Sequence, residues 1–179
     1  EILSPQPLAR YDAAANQSGE ATIMAAKRSG ELVAIHWDGN IWSEPVTVAD
    51  DAGAALSVEY DQTQRPVAVW QDVSSALNVS VRDPSGDAWI LFDDVVPKAL
   101  AAECRILPFM KDGRTVYLLA WTSGGETISV WTAWVDSSGN ILAGPDKASA
   151  ESEGAYHDLH LRPLEGYRAV VLAQHQSEF

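Results

Sequence analysis

Residues 65–89 read RPVAVWQDVSSALNVSVRDPSGDAW, and that stretch decides the fold. Val67 to Trp70 is apolar at every position, as expected of a strand covered on both faces. Leu77, Val79 and Val81 then alternate with Asn78, Ser80 and Arg82, the period of two that places one face inward and one outward. Pro84-Ser85-Gly86 follows, a turn that supplies the positive-φ position a tight hairpin needs, and Trp89 opens another extended run. The pattern is strand, turn, strand, turn, strand.

Outward from this stretch the same features return. Gly39-Asn40-Ile41-Trp42, Gly86-Asp87-Ala88-Trp89 and Gly139-Asn140-Ile141-Leu142 recur with glycines 47 and 53 residues apart, each with an aspartate just before it (Asp38, Asp83, Asp136). Two-faced apolar runs lie at Thr22 to Ala26, Val67 to Trp70, Val116 to Trp121 and Ala169 to Ala173, and Trp70 and Trp121 are 51 positions apart. Trp42-x-x-Pro45 is echoed by Leu142-x-x-Pro145. Three markers share one period near fifty, which signals a repeat architecture.

Four strands per repeat at this period describe the blade of a β-propeller. The strands of the central repeat are expected at 66–71, 76–82, 88–95 and 102–108, with the two-faced run 66–71 innermost. No stretch has a convincing helical period, and Pro97 to Cys104 fits a loop or a single turn. The expected fold is all-β: a propeller segment forming one partial domain over 1–179, with three four-stranded antiparallel blades at about 20–60, 65–109 and 114–162. One flanking strand is expected at each end, an outer one at Leu8 to Tyr11 and an inner one at Ala169 to Ala173. Propellers close with about four to eight blades. Further blades, from a longer parent or from neighbouring subunits, are therefore expected to complete the ring.

The residues Asp38 to Pro45 resemble the repeats of sialidase-like propellers that carry the Asp box, Ser/Thr-x-Asp-x-Gly-x-x-Trp. This sequence departs from the box in that Asp83 and Asp136 lie three residues before their glycines, Asp38 adjoins Gly39, and Leu142 replaces the tryptophan. A sialidase-like hydrolase would need an arginine cluster for a substrate carboxylate, a tyrosine nucleophile with a glutamate partner, and an aspartate acid/base. The chain holds Arg28, Arg65, Arg82, Arg114 and Arg168 with Tyr60 and Tyr117, but no triad follows from their spacing.

Composition narrows the partners. The 179 residues are 46% hydrophobic and 21% charged, the balance of a globular chain. With 25 acidic against 12 basic residues the formal net charge is −13, which argues against nucleic acid and anionic membrane surfaces. No apolar run is long enough for a spanning helix, so membrane insertion by a helix is not expected. One cysteine, Cys104, excludes an internal disulfide and reads as a buried, inert thiol. Asp50, Asp51, Asp93, Asp94, Glu151 and Glu153 fall at similar places in their repeats, a solvated acidic face or a surface for divalent cations or a basic protein partner. An extracellular or cell-surface location is expected, although the same composition fits the cytoplasm.

Five residues are candidates for ligand binding. Arg65 and Arg114 each precede a two-faced strand, which gives a symmetric anion site or two surface ion pairs. Trp131 and Trp134 have no counterparts in the other repeats and read as exposed candidates for stacking on a sugar, whereas Trp42 and Trp89 read as filling between blades. His175 follows a two-faced strand where a channel would lie. His157 and His160 cannot grip one ion from a regular strand, because positions three apart point to opposite faces. Asp136 to Asn140 is rich in oxygen donors, as calcium loops are, but lacks an EF-hand's alternating acids. No cofactor is expected, with calcium the one candidate. The function expected is a non-catalytic binding or scaffolding propeller within a larger chain or assembly, engaging a protein or a glycan. The alternatives are a fragment of a sialidase-like glycoside hydrolase or a lectin.

Overall fold

The computed structural model describes residues 8–123, 129–149, 155–165 and 168–176. Among these, fourteen strands form and no helix does. Three four-stranded antiparallel sheets follow one another along the chain. The first holds β1 (Leu8–Ala15), β2 (Ala21–Lys27), β3 (Leu32–Trp37) and β4 (Val46–Ala49). The second holds β5 (Ala52–Tyr60), β6 (Pro66–Asp72), β7 (Leu77–Arg82) and β8 (Trp89–Val96). The third holds β9 (Ala101–Lys111), β10 (Arg114–Ser123), β11 (Val130–Asp136) and β12 (Ile141–Lys147). β13 (Ala155–Leu164) and β14 (Arg168–Gln176) make a two-stranded sheet.

The all-β class and the three four-stranded sheets are as the sequence leads one to expect, but the grouping is offset by one strand. Hydrogen bonding joins residues 8–49, 52–96 and 101–147, in place of 20–60, 65–109 and 114–162. The strand at the N-terminal side is no lone flank: β1 is the first strand of a complete sheet, and β14 has a partner in β13. Nor is the two-faced run innermost. The strands that pack on one another from sheet to sheet are β1, β5, β9 and β13. β6 is buried at all positions because it has a strand on each side and a blade on each face. β12, at the far edge, is exposed throughout.

Blades stack through apolar layers. Between the first and second lie Met24, Leu32, Leu56, Val58 and Trp70. Between the second and third lie Val67, Val79, Ile106, Leu119 and Trp121. Phe109, Leu118 and Leu161 join the third to the two-stranded sheet. Polar side chains of the inner strands span the same junctions. Val58 N donates to Asp12 Oδ2 at 2.9 Å, and Leu159 N donates to Glu103 Oε2 at 3.0 Å. From the turn after β5, Gln62 Nε2 donates to the Pro108 carbonyl at 2.8 Å. Each supplies a partner to a backbone group, or a donor to a carbonyl, that no ladder reaches at that edge.

Candidate functional site

In each sheet the first and third hairpins (β1–β2 and β3–β4, β5–β6 and β7–β8, β9–β10 and β11–β12) turn on one face of the propeller and the middle hairpin on the other, so loops of neighbouring blades meet on the first face. Aspartates shape several of these turns. Asp61 accepts from Thr63 N at 2.8 Å and Arg65 N at 3.0 Å; Asp83 accepts from Ser85 N at 2.8 Å. Asp136 accepts from Ser138 N at 2.8 Å and Asn140 N at 2.9 Å. Bonding to their own backbone is the usual occupation of such carboxylates. It engages the oxygens of Asp136 that the calcium alternative would need. Among the described residues no three His, Cys, Asp or Glu side chains converge as metal ligands would.

Between the first and second blades the hairpins leave a cleft of about 460 Å³. Its walls are Glu20 from the first blade, Arg65 from the β5–β6 turn, and Arg82 and Asp87 from either side of the β7–β8 turn. Asn16 Nδ2 donates to Glu20 Oε2 at 2.6 Å and orients it. Arg82 NH2 lies 2.6 Å from Asp87 Oδ1, so a fixed guanidinium and a largely exposed carboxylate stand side by side. Arg65 is turned by Asp61, whose Oδ2 takes its Nε at 3.1 Å and its NH2 at 3.0 Å.

A narrower recess beneath shares Arg82 and Asp87 and adds Thr22, His36, Ser43 and Trp89. Thr22 Oγ1 lies 3.1 Å from His36 Nδ1 and 2.9 Å from Tyr60 OH, closing a three-residue polar cluster across the blade junction. Burial lowers the pKa of His36, and the Arg82 charge lowers it further. Burial raises that of Tyr60. The site therefore presents guanidinium donors and carboxylate acceptors on facing loops above neutral hydroxyl and imidazole groups. That combination suits a ligand with several hydroxyls, each of which both donates and accepts.

The candidates named from sequence fare differently. Arg65 stands in the cleft wall. Arg114 is exposed at the start of β10, on the next blade's hairpin, and lies outside it. Trp134 is half-buried, not exposed as the sequence suggested, because it packs on Phe109 (centroids 5.3 Å apart, planes at 53°) in the layer between the third blade and the two-stranded sheet. Trp131 is also half-buried and borders a recess between the second and third blades. His175 sits in β14 opposite Tyr156; its side chain, like that of His157, lies outside the described residues, as do Glu151 and Glu153. The strand carrying His157 and His160 is not regular: its register shifts between them, and Asp158 has φ 55°. Trp89 fills the layer between blades, whereas Trp42 stays 38% exposed and tilts against Trp37 at 5.5 Å. Cys104 is buried, and burial pushes its thiol up to about 12.

Glu20 and Asp87 were not singled out by sequence reasoning, and Arg82 entered only among the arginines of the hydrolase alternative. Arg82 reads as the outward residue of an alternating strand, and no spacing links it to Glu20, which sits in another repeat. The one available signal was the charge pair flanking a Pro-Ser-Gly turn.

No family model and no curated protein matches the chain. Among solved structures it is similar to the Aleuria aurantia lectin AAL, described as an N224Q mutant in complex with Fucα1-6GlcNAc, at TM-score 0.71 and 13% identity over 93% of this chain. The fold is that of a β-propeller. The chain covers 56% of that lectin's length. A xylan β-1,4-xylosidase from Bacillus halodurans C-125 aligns at TM-score 0.47 and 13% identity, over 91% of this chain and 37% of its own.

Proposed function

We propose that the chain is a non-catalytic, glycan-binding propeller module whose site is the cleft between the first and second blades. The observation that carries this reading is the Arg82–Asp87 pair facing Glu20 and Arg65 across a cleft of about 460 Å³. A cleft of that size suits one or two sugar rings. The likeness in fold to a lectin, whose described complex holds a fucosylated disaccharide, is in keeping with it. Against the hydrolase alternative, Tyr117 is fully buried and its hydroxyl is pushed up to about 12 by burial, so it cannot meet a substrate as a nucleophile.

A glycan array probed with the full chain tests the proposal. Binding to a defined set of glycans is expected, with Asp87→Asn and Arg82→Ala each weakening it at least about tenfold. Asp87 is exposed, so its variant keeps the fold. A blank array, or unchanged binding by Asp87→Asn, would overturn the assignment, and turnover of a fluorogenic sialoside would restore the hydrolase.

We also propose that further blades, in a longer parent chain or in neighbouring subunits, cover the outward face of the two-stranded sheet. Leu164 and Leu172 are 48% and 52% exposed there, and apolar surface of this kind favours association. Light scattering of the 179-residue chain is expected to show self-association; a monodisperse monomer at high concentration would refute it.

A further inference from the structure

We propose that the recess between the second and third blades, on the propeller face opposite the cleft, is a second binding site that takes a carboxylated ring. The ring's apolar face lies against Trp131 and Leu100, and its carboxylate meets Lys98. The recess encloses about 340 Å³, room for one ring, with Trp121 at its floor and Pro97 at its lip. It shares no residue with the cleft, so it stands or falls independently of the glycan assignment.

The comparison of repeats is the strongest ground. Trp121 lies opposite Trp131 across β10 and β11, just as Trp70 lies opposite Asn78 across β6 and β7. In the second blade Asn78 is structural: its Nδ2 donates to Asp72 Oδ2 at 3.2 Å and its Oδ1 accepts from Asp94 N at 2.7 Å. The third blade has an indole at that place, and Ser123 where Asp72 stands. Leu100 N donates to the Ser75 carbonyl as Ala52 N donates to that of Gly30, and Ser75 and Gly30 close equivalent turns, so Lys98, two residues before Leu100, occupies the position of Asp50. The same architectural corner has thus exchanged acids and an amide for an ammonium, a hydroxyl and an aromatic face. Folding does not demand that exchange, since the second blade folds without it.

The backbone keeps these side chains at the rim. Lys98 and Leu100 have φ of 55° and 52°, in the left-handed region that non-glycine residues rarely adopt. Such conformations persist where surrounding structure fixes them, and they gather at ligand sites. Leu100 N is tied to the Ser75 carbonyl at 3.2 Å while its side chain stays 54% exposed. Lys98 is exposed and forms no ion pair among the described residues. On a chain of net charge −13, an unpaired ammonium beside an apolar recess is a local reversal of sign. It selects an anion that the rest of the surface repels. The indole favours a flat apolar ring beside that anion. Both a uronic-acid sugar and an aromatic carboxylate have this chemistry.

The test titrates the full chain with methyl β-D-glucuronide and with indole-3-acetate, each beside its neutral counterpart, methyl β-D-glucoside and indole-3-acetamide. The indole N–H resonance of Trp131 is followed by NMR. At least one acid is expected to shift that resonance and to bind about tenfold more tightly than its neutral counterpart; which acid does so identifies the source. Lys98→Glu and Lys98→Gln, on an exposed loop, are expected to abolish the preference with the thermal midpoint unchanged. Trp131→Asn, the residue of the second blade, is expected to weaken binding about tenfold. Equal binding of acid and neutral counterpart, unaltered binding by Lys98→Glu, or no shift of Trp131 with either acid at millimolar concentration would each overturn the proposal.

Discussion

Trp70→Ala is expected to lower the stability of the fold by about 4 kcal/mol, the usual range for deleting a large buried aromatic. Trp70 is 1% exposed and sits in the layer between the first two blades with Met24, Leu32, Leu56 and Val58. Removing the indole leaves a void that neither sheet can fill, because the β5–β6 and β6–β7 ladders fix its walls. One detail makes the effect diagnostic. Trp70 Nε1 is a buried donor with no partner among the described residues, so the native side chain already carries a desolvation cost of about 1–3 kcal/mol. Trp70→Phe removes that orphan together with part of the volume and is expected to cost about 1 kcal/mol or less. Urea denaturation of the three proteins checks both values. A Trp70→Phe cost as large as that of the alanine variant would mean the indole nitrogen has a partner in solution.

Trp70 also shows what a single sequence can and cannot reveal about such a fold. Its separation from Trp121 and the recurring turn glycines made the repeat legible, since period survives even when every motif has diverged. The phase was not legible. A run apolar on both faces reads naturally as the innermost strand, yet in the structure it is the second. The innermost strands have an open edge toward the axis and tolerate charge: Asp12, Glu59, Arg105 and Arg162 lie on β1, β5, β9 and β13 around one polar space. The second strand has no free edge and no free face, which is why it is the most apolar.

Much the same distinction separates the parts of the candidate site. Arg65 was legible because it precedes a recognisable strand in a repeated context. Glu20 and Asp87 were not, because their proximity comes from stacking two blades, and stacking is a property of the sheets' mutual angle. Polar contacts such as Asp12 to Val58 N join residues far apart in sequence and have no periodic signature. Trp134 failed as an exposed candidate for a related reason: its lack of a repeat counterpart marks a local packing need beside Phe109.

Asp61→Ala is expected to be the most damaging loop substitution among the described residues, at about 3 kcal/mol. The Asp61 side chain is 0% exposed, and it organises the whole β5–β6 turn. Oδ1 accepts from Thr63 N at 2.8 Å, Thr63 Oγ1 at 2.6 Å and Arg65 N at 3.0 Å, and Oδ2 accepts from both Arg65 nitrogens. Alanine leaves two amides and a guanidinium without their carboxylate acceptor. Removing one member of a buried pair costs about 3–5 kcal/mol. The lower end applies here because Arg65 is 28% exposed and water can reach it. Asp61→Asn keeps one acceptor oxygen for the turn amides and loses the charge, so roughly half that cost is expected. Arg65 would then swing free of the cleft wall. Equilibrium unfolding should rank wild type above Asp61→Asn above Asp61→Ala, and glycan affinity should fall in the same order. An Asp61→Ala protein as stable as wild type would show that the turn holds without its carboxylate, and that Arg65 takes its place in the cleft from the backbone alone.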